Sequence, residues 1–354
     1  MTVSSSAPAS AAAGAVRYAD LTQPEEGVAV RVAPGVSWVR MPLPFALDHI
    51  NLWLLDDGHG WTLVDTGYSS NRTRTAWETL FAGALAGKPL TRIIATHFHP
   101  DHIGLAGWMM ERWPQARFAT SLSEWLYGRM LSLERLDLSQ ARTGHFYHAA
   151  GAEPAMIETL VARANLYSES VWTLPPTFHR LRHGQELVIG ADRWQVLMGQ
   201  GHTPEQVCLY APERGLFLSG DQVLPRISPN ISVWPTEPDA EPLSDFLATL
   251  AALRPLAAGD PLVLPSHGQP FHNLAGRIEE LITHHHLRLE ETWSACRVPH
   301  TAAEITRLMF NRPLDPHQTM FALGEAIAHL NHLCATRRIV RETDAAGIDR
   351  YRQV

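Results

Sequence analysis

The stretch IIATHFHPDHIGLAG, residues 93–107, places three histidines and an aspartate within the six positions from His97 to His102. Imidazole and carboxylate are nitrogen and oxygen ligands suited to divalent metals, and both can also carry protons. With 19 histidines in 354 residues, one reading is a chance cluster and the other is a metal site. Spacing separates the two. His97 and His99 stand two apart, so on an extended backbone both imidazoles project to one side. Asp101 and His102 then turn toward the start of the next helix. Two cations about 3.5–4 Å apart need two interleaved ligand sets of this kind.

One cluster cannot complete two coordination shells. Three further groups stand at the ends of apolar or β-branched runs: His202 in GQGHTPEQ, Asp221 in LFLSGDQ and His267 in LVLPSHG. A lone histidine is more often a core or surface residue. Five histidines and two aspartates, each following a predicted strand, favour a site for zinc, iron or manganese.

The elements that must position these groups are legible in the hydrophobic pattern. VSWVRMPL, INLWLL and WTLVDTG read as strands, the last two joined by DDGHG. Residues 71–86 carry Ala76, Trp77, Leu80, Phe81 and Leu85 at helical spacing. LTRIIATH reads as a buried strand, IGLAGWMMERW as one helix and ARFATS as another strand. Strands alternating with helices point to an α/β layered architecture. Residues 121–175 break the alternation with two helical stretches, SLSEWLYGRMLSLERL and EPAMIETLVARANLYSES, separated by ARTGHFYHAAG; such an insertion is either a lid or padding. The β pattern returns from Thr177 and runs to PLVLPSHG. Beyond Phe271, helical patterns over roughly 274–296, 301–310 and 317–336 precede two polar strands, RIVRE and DRYRQV, an order that resembles a winged helix.

Composition bounds the function. A net charge of −7 argues against a nucleic-acid or anionic-membrane binder, and the last segment holds ten arginines against ten acidic residues. Cys208, Cys296 and Cys334 form no close pair, so a reducing cytoplasm is the expected compartment. The opening MTVSSSAPASAAAGAV lacks the charged and apolar regions of a signal peptide and reads as a disordered tail. No window is apolar enough to span a bilayer. The expected division is a tail over 1–16, a catalytic domain over 17–272 and a small domain over 273–354.

The ordered set resembles the metallo-β-lactamase superfamily. Its HxHxDH motif stands as His97-Phe98-His99-Pro100-Asp101-His102, and its later landmarks as Gly201-His202, Gly220-Asp221 and Ser266-His267-Gly268; VDTG at 64–67 matches an early landmark. The resemblance covers about residues 35–272. It implies an αββα sandwich, two sheets flanked by helices, with the small winged-helix-like α+β domain appended. It also implies that His97, His99 and His202 bind one metal, that Asp101, His102 and His267 bind a second, and that Asp221 bridges them. Two divalent ions, zinc first with iron or manganese as alternatives, are the implied cofactors. Asp65 would orient a ligand imidazole, or else accept the backbone amides of its own turn.

The resemblance further implies a hydrolase in which a metal-activated hydroxide attacks an ester-like carbonyl, with Asp101 orienting the nucleophile and shuttling its proton. Position 221 is not the cysteine ligand of the antibiotic-degrading class. His99 stands where flavodiiron proteins have glutamate, which disfavours oxygen reduction. Glyoxalase II enzymes share all seven ligands, but their basic glutathione-binding residues have no match here. A phosphodiesterase or ribonuclease using the same metals, and a mononuclear iron persulfide dioxygenase, remain as alternatives, with a non-catalytic metal-stabilised scaffold as a third class. The expected partner is a small-molecule or acyl-carrier substrate, and a homo-oligomer stays open. Arg226 and Trp234, close after Asp221, and His145, Tyr147 and His148 in the insertion are the candidate substrate residues. The consecutive His284, His285 and His286 read as a solvated run.

Overall fold

The computed structural model of the protein describes residues 14–310 and 312–354. After strand β1 (Arg17–Tyr18), the chain lays down a seven-stranded sheet in sequence order: β2 (Ala29–Ala33), β3 (Val36–Pro42), β4 (His49–Asp56), β5 (Trp61–Val64), β6 (Leu90–Ile94), β7 (Arg117–Thr120) and β8 (His179–Arg180). The first four are antiparallel neighbours. From β5 to β8 the strands run parallel, so each connection must cross over the sheet. The second seven-stranded sheet is built from β9 (Glu186–Ile189), β10 (Asp192–Gly199), β11 (Gln206–Ala211), β12 (Leu216–Gly220), β13 (Leu262–Pro265) and β14 (Phe271–His272), with β1 added at its edge beside β14.

Both sheets bury both faces, which is why their central strands read as near-continuous apolar runs. Trp38, Trp53, Leu55 and Val64 of the first sheet meet Trp194, Val196, Leu209 and Leu218 of the second in an inner core. On the outer face of the first sheet, Met41, Leu52, Leu54 and Phe118 pack under α1 (Asn71–Ala82) and, beyond the single turn α2 (Pro100–Ile103), α3 (Ala106–Arg112). The chain therefore has the αββα layering that the resemblance implies.

The segment that breaks the strand–helix alternation forms α4 (Leu122–Leu133), α5 (Leu136–Ala149), α6 (Pro154–Ala162) and α7 (Leu166–Ser170). The second sheet's outer face is covered by α8 (Pro242–Leu253) and α9 (Leu274–Ala295), and the same core continues into α10 (Ala302–Met309), α11 (Pro316–Ala335) and the hairpin β15 (Ile339–Thr343)–β16 (Asp349–Gln353). Capping boxes at Thr301/Glu304 and Asp315/Gln318 start α10 and α11.

Several elements differ from the sequence reading. IGLAGWMMERW is broken into α2 and α3, because the Leu105 amide donates to the Thr66 hydroxyl (3.0 Å) instead of continuing the helix. All but the last two residues of ARTGHFYHAAG lie within α5, where Phe146 and Tyr147 are buried in the large core; tertiary burial outweighs its weak amphipathic pattern. The helix predicted over 71–86 stops at Ala82, where the Gly83 amide folds back on Thr79 and Leu80. No helix was expected at α8, although Leu243, Phe246, Leu250 and Leu253 form its buried stripe. Of the expected tail, residues 1–13 lie outside the described residues, while the Gly14 and Ala15 carbonyls accept from the Asn273 side chain. No helix among the described residues is long and apolar enough to cross a membrane.

One side chain ties the two sheets together beside the seven residues. Asn51 on β4 is fully buried and donates through Nδ2 to the Pro265 (2.9 Å) and Gly268 (2.7 Å) carbonyls, on either side of His267. Its Oδ1 accepts from the Trp38 indole (2.8 Å). Asn51→Ala leaves these partners unmet in a dry interior, and the expected cost is about 2–5 kcal/mol, read as a lowered urea midpoint. Asn51→Asp turns a carboxylate toward two carbonyls and is expected to cost at least as much. A midpoint unchanged by either substitution would refute the cross-link.

Candidate metal centre

The seven residues arrive on loops that leave strand ends. His97 follows the end of β6 closely, and His99 is the N-cap of α2, with Pro100 as its first residue. Asp101 and His102 therefore sit in one helical turn, which presents both to the same side as the two preceding histidines. His202 follows β10 through Gly201, whose φ of 98° is left-handed; a Cβ there would lie 2.4 Å from Phe246 Cβ, so α8 can close over the loop only if the residue is glycine. Asp221 and His267 follow β12 and β13, neighbouring parallel strands.

The side chains converge on Asp221. Its carboxylate lies 3.3 Å from His202 Nε2 and 3.5 Å from both His102 Nε2 and His267 Nε2. Asp101 Oδ2 is 3.6 Å from His102 Nε2 and 3.4 Å from His267 Nε2, and His97 Nε2 is 3.0 Å from His99 Nδ1. Three groups of three bring their ligating atoms within 4.8 Å of one another: His97, His99 and His202; His97, His102 and Asp221; Asp101, His102 and His267. The first and third are the two ligand sets implied by the resemblance, and Asp221 contacts members of each. His99 and Asp101 are the two of the seven that are only partly buried, so a substrate would approach from their side.

Each remaining imidazole has its outer nitrogen occupied. His102 Nδ1 donates to Asp65 Oδ2 (2.8 Å), His202 Nδ1 to the Asn230 carbonyl (2.8 Å), His267 Nδ1 to the His49 carbonyl (2.8 Å), and His97 Nδ1 faces the Thr96 hydroxyl (3.0 Å). These bonds occupy Nδ1 and aim Nε2 inward, as metal-binding histidines require. Asp65 bonds beyond the His102 imidazole, to a residue past β6 rather than in its own turn. With its backbone at φ 61°, it also accepts the Thr96 amide (2.7 Å) and hydroxyl (2.8 Å).

The test of fit is what these atoms lack. His102 Nε2, His202 Nε2 and Asp221 Oδ1 are buried without a hydrogen-bond partner. Orphaned polar atoms within a buried cluster are costly unless a cation completes them, so the residues fit divalent metal binding. Protonation tells the same story. Burial, then the neighbouring imidazoles, pushes His97 well below its ordinary range and His99 down to about 3. Burial would raise both aspartates, but His102 and His267 outweigh it, holding Asp101 at about 2 and Asp221 well below the carboxylate range. Burial likewise opposes the rise of His102 and His267, yet the carboxylates lift the first well above its ordinary value and the second to about 10. Cations would take the place of those two protons.

Two of the substrate candidates are held by the C-terminal region. Tyr147 is buried in the core shared with the C-terminal helices, and His148 meets the Ala346 carbonyl (2.8 Å) in the β15–β16 turn; both are thus fastened to the C-terminal region and not gathered with the seven. His145 and Arg226 are exposed, and Trp234 packs edge-on against Phe321 of α11 (5.6 Å). The histidine run divides: His284 and His286 are exposed, while His285 is buried against Phe246, because consecutive helix positions face different ways.

Sequence reasoning missed Glu124. Its Oε2 accepts the Phe98 amide (3.0 Å), between two ligands, and its Oε1 accepts the Glu205 amide (2.8 Å), just past His202. One buried carboxylate thus holds the two loops that carry His97, His99 and His202. The only sequence signal, Ser121 three residues ahead, resembles a capping box. The Ser121 hydroxyl does accept the Glu124 amide (3.3 Å), but the carboxylate turns inward.

The description "Metallo-beta-lactamase superfamily" matches residues 46–268, and "Metallo-beta-lactamase-like, C-terminal domain" matches residues 289–354. The chain is 25% identical over 312 residues to "Probable metallo-hydrolase YqjP" of Bacillus subtilis, spanning 85% of this chain and 92% of that one. It is similar to a crystal structure of a beta-lactamase domain protein from Burkholderia ambifaria, with a TM-score of 0.87 and 45% identity over 96% of this chain and 98% of the other. A metallo-beta-lactamase family protein from Thermus thermophilus matches with a TM-score of 0.77 and 29% identity, over 92% and 100% of the two chains.

Burial pushes the Glu124 carboxyl up to about 7, against the pull of its amide donors. Glu124→Gln keeps one acceptor and puts an NH2 against the other amide. At pH 8 it is expected to weaken cation retention at the all-histidine set by about 10-fold or more, measured as metal per chain after chelator competition. Below pH 7 the wild-type carboxyl takes a proton and resembles the amide, so the gap should narrow. For stability, a carboxyl whose folded pKa is raised from 4.5 to about 7 favours folding at low pH and loses that contribution as pH rises through 7. Equal metal retention by both proteins at pH 8 would refute the clamp.

Proposed function

The chain belongs to the metallo-beta-lactamase superfamily, and on that premise we propose that it is a two-metal hydrolase of an ester-like bond, a thioester, lactone or ester. The observation that carries this reading is the pair of three-residue groups meeting at Asp221, with inward-facing atoms that have no protein partner. His97, His99 and His202 would hold the first cation, Asp101, His102 and His267 the second, and Asp221 would touch both. Two divalent cations, zinc above iron or manganese, would lower the pKa of water from about 15.7 toward 7 and polarise the carbonyl under attack.

The chain's own residues do the rest. Asp101, ionised and partly open to solvent, would orient the attacking water and pass its proton to the leaving group. Asp65, Thr96, Asn230 and His49 hold the outer nitrogens of four of the five imidazoles, so these four cannot turn away as charge develops. Two acyl-transfer requirements, an activated nucleophile and stabilisation of a developing oxyanion, are then met without a serine or cysteine nucleophile. A carbonyl substrate is favoured over a phosphodiester because a chain of net charge −7 offers no excess of cations to a polyanion. A cytoplasmic location belongs to the same proposal.

The test is a set of initial rates on acyl thioesters, lactones, aryl esters and a phosphodiester, with and without chelator. Chelator-sensitive turnover confined to the carbonyl substrates is the expected result, and cleavage of the phosphodiester alone would replace this reading with a nuclease. Asp221→Ala is expected to lose at least one metal per chain and to lower kcat by about 1,000-fold or more, because the removed group touches both ligand sets. Full turnover at full metal content would refute the bridging role.

A further inference from the structure

The loop of residues 222–233 leaves Asp221 and returns to the same centre at Asn230, whose carbonyl accepts the His202 Nδ1–H (2.8 Å). What fixes this loop comes from the C-terminal helices. Arg277 of α9 is buried, a costly place for a cation, and spends its donors on the loop backbone: Nε to the Leu224 carbonyl (2.6 Å) and Nη2 to the Ile227 carbonyl (2.7 Å). Its Nη1 pairs with Glu280 at 2.7 Å. Farther along α9, His285 Nε2 meets the Ser228 hydroxyl at 3.2 Å. From α11, the Gly324 carbonyl accepts the Val233 amide (3.1 Å), and a Cβ on Gly324 would stand 2.8 Å from Ser232 Cβ. Both helices therefore hold the loop on either side of Asn230.

A backbone carbonyl orients an imidazole only if its peptide is fixed. We propose that the C-terminal helices are a positioning device for the first metal ligand set, and that Arg277, through residues 224–230, is the positioning residue that keeps His202 in its metal-binding tautomer. The inference rests on the metal-centre reading of His202 and is independent of which substrate is hydrolysed. It assigns the appended helices a part in the site of their own chain, through the loop of residues 222–233.

The experiment titrates full-length, metal-free protein with Co2+ or Zn2+ and reads two affinities, alongside the His202 Nδ1–H signal in proton–nitrogen spectra. Arg277→Met is expected to weaken one of the two cations by about 10–100-fold and to leave the other within about twofold. The Nδ1–H signal of His202 should be lost to exchange while those of His102 and His267 persist. Arg277→Lys, which restores one donor, should recover part of the affinity. Gly324→Ala presses on the same loop from α11 and should reproduce the selective loss, which keeps the test open if Arg277→Met does not fold. Wild-type affinities and an intact His202 signal in folded Arg277→Met or Gly324→Ala would overturn the positioning role alone. A wild-type chain that binds no cation would overturn the centre and this inference together.

Discussion

Asp221 is a carboxylate buried among three imidazoles, and this placement is the constraint around which the rest of the structure is organised. Burying a charge is tolerable only when it is paired and its partners are themselves held. His102, His202 and His267 supply the pairing, and they can do so in one orientation because Asp65, Asn230 and the His49 backbone occupy their far nitrogens. Every one of these second contacts comes from a different part of the chain. The centre is therefore less a local motif than a meeting point that several elements must reach together.

The two-sheet architecture makes that meeting possible. Parallel strands deliver loops to one end of a sheet, and each sheet contributes through such a pair: β5 and β6 place Asp65 and the His97–His102 cluster, while β12 and β13 place Asp221 and His267. Asn51 locks the sheets at that end, since its side chain belongs to the first and its acceptors flank His267 in the second. The apolar inner core fixes the distance between the sheets, and the hydrogen bonds at its rim fix their register. Helices add a further layer of control. Glu124 from α4 holds the loops of the all-histidine set, and α9 and α11 hold the loop that carries Asn230.

The division between the all-histidine group and the group of Asp101, His102 and His267 also has an electrostatic side. His97 and His99 stay neutral by burial among other imidazoles, whereas His102 and His267 answer to two carboxylates. One set thus offers mainly neutral nitrogen donors and the other a mixed nitrogen and oxygen shell. The more open side of the cluster lies at His99 and Asp101.

The seven side chains, their order and the layered fold are legible in the order of residues along the chain. Ligands that leave strand ends carry a local signature: an apolar run, a glycine or turn, then the ligand, as in LFLSGD and LVLPSH. The strand pattern and the three C-terminal helices were legible for the same reason, because period and composition are properties of neighbouring residues. Tertiary structure alone decided what depends on distant partners. Glu124 imitates a capping residue until its amide donors, from Phe98 and Glu205, are seen beside it. Tyr147 and His148 face the C-terminal region, and His285 is buried where a run of three histidines suggested solvent. Asn230 acts through its backbone carbonyl, which no side-chain pattern can mark, and Arg277 acts on that backbone from a helix 50 residues beyond Ile227. Spacing along a chain encodes which groups can share a face, whereas which groups share a charge or a proton is settled only when separate elements pack.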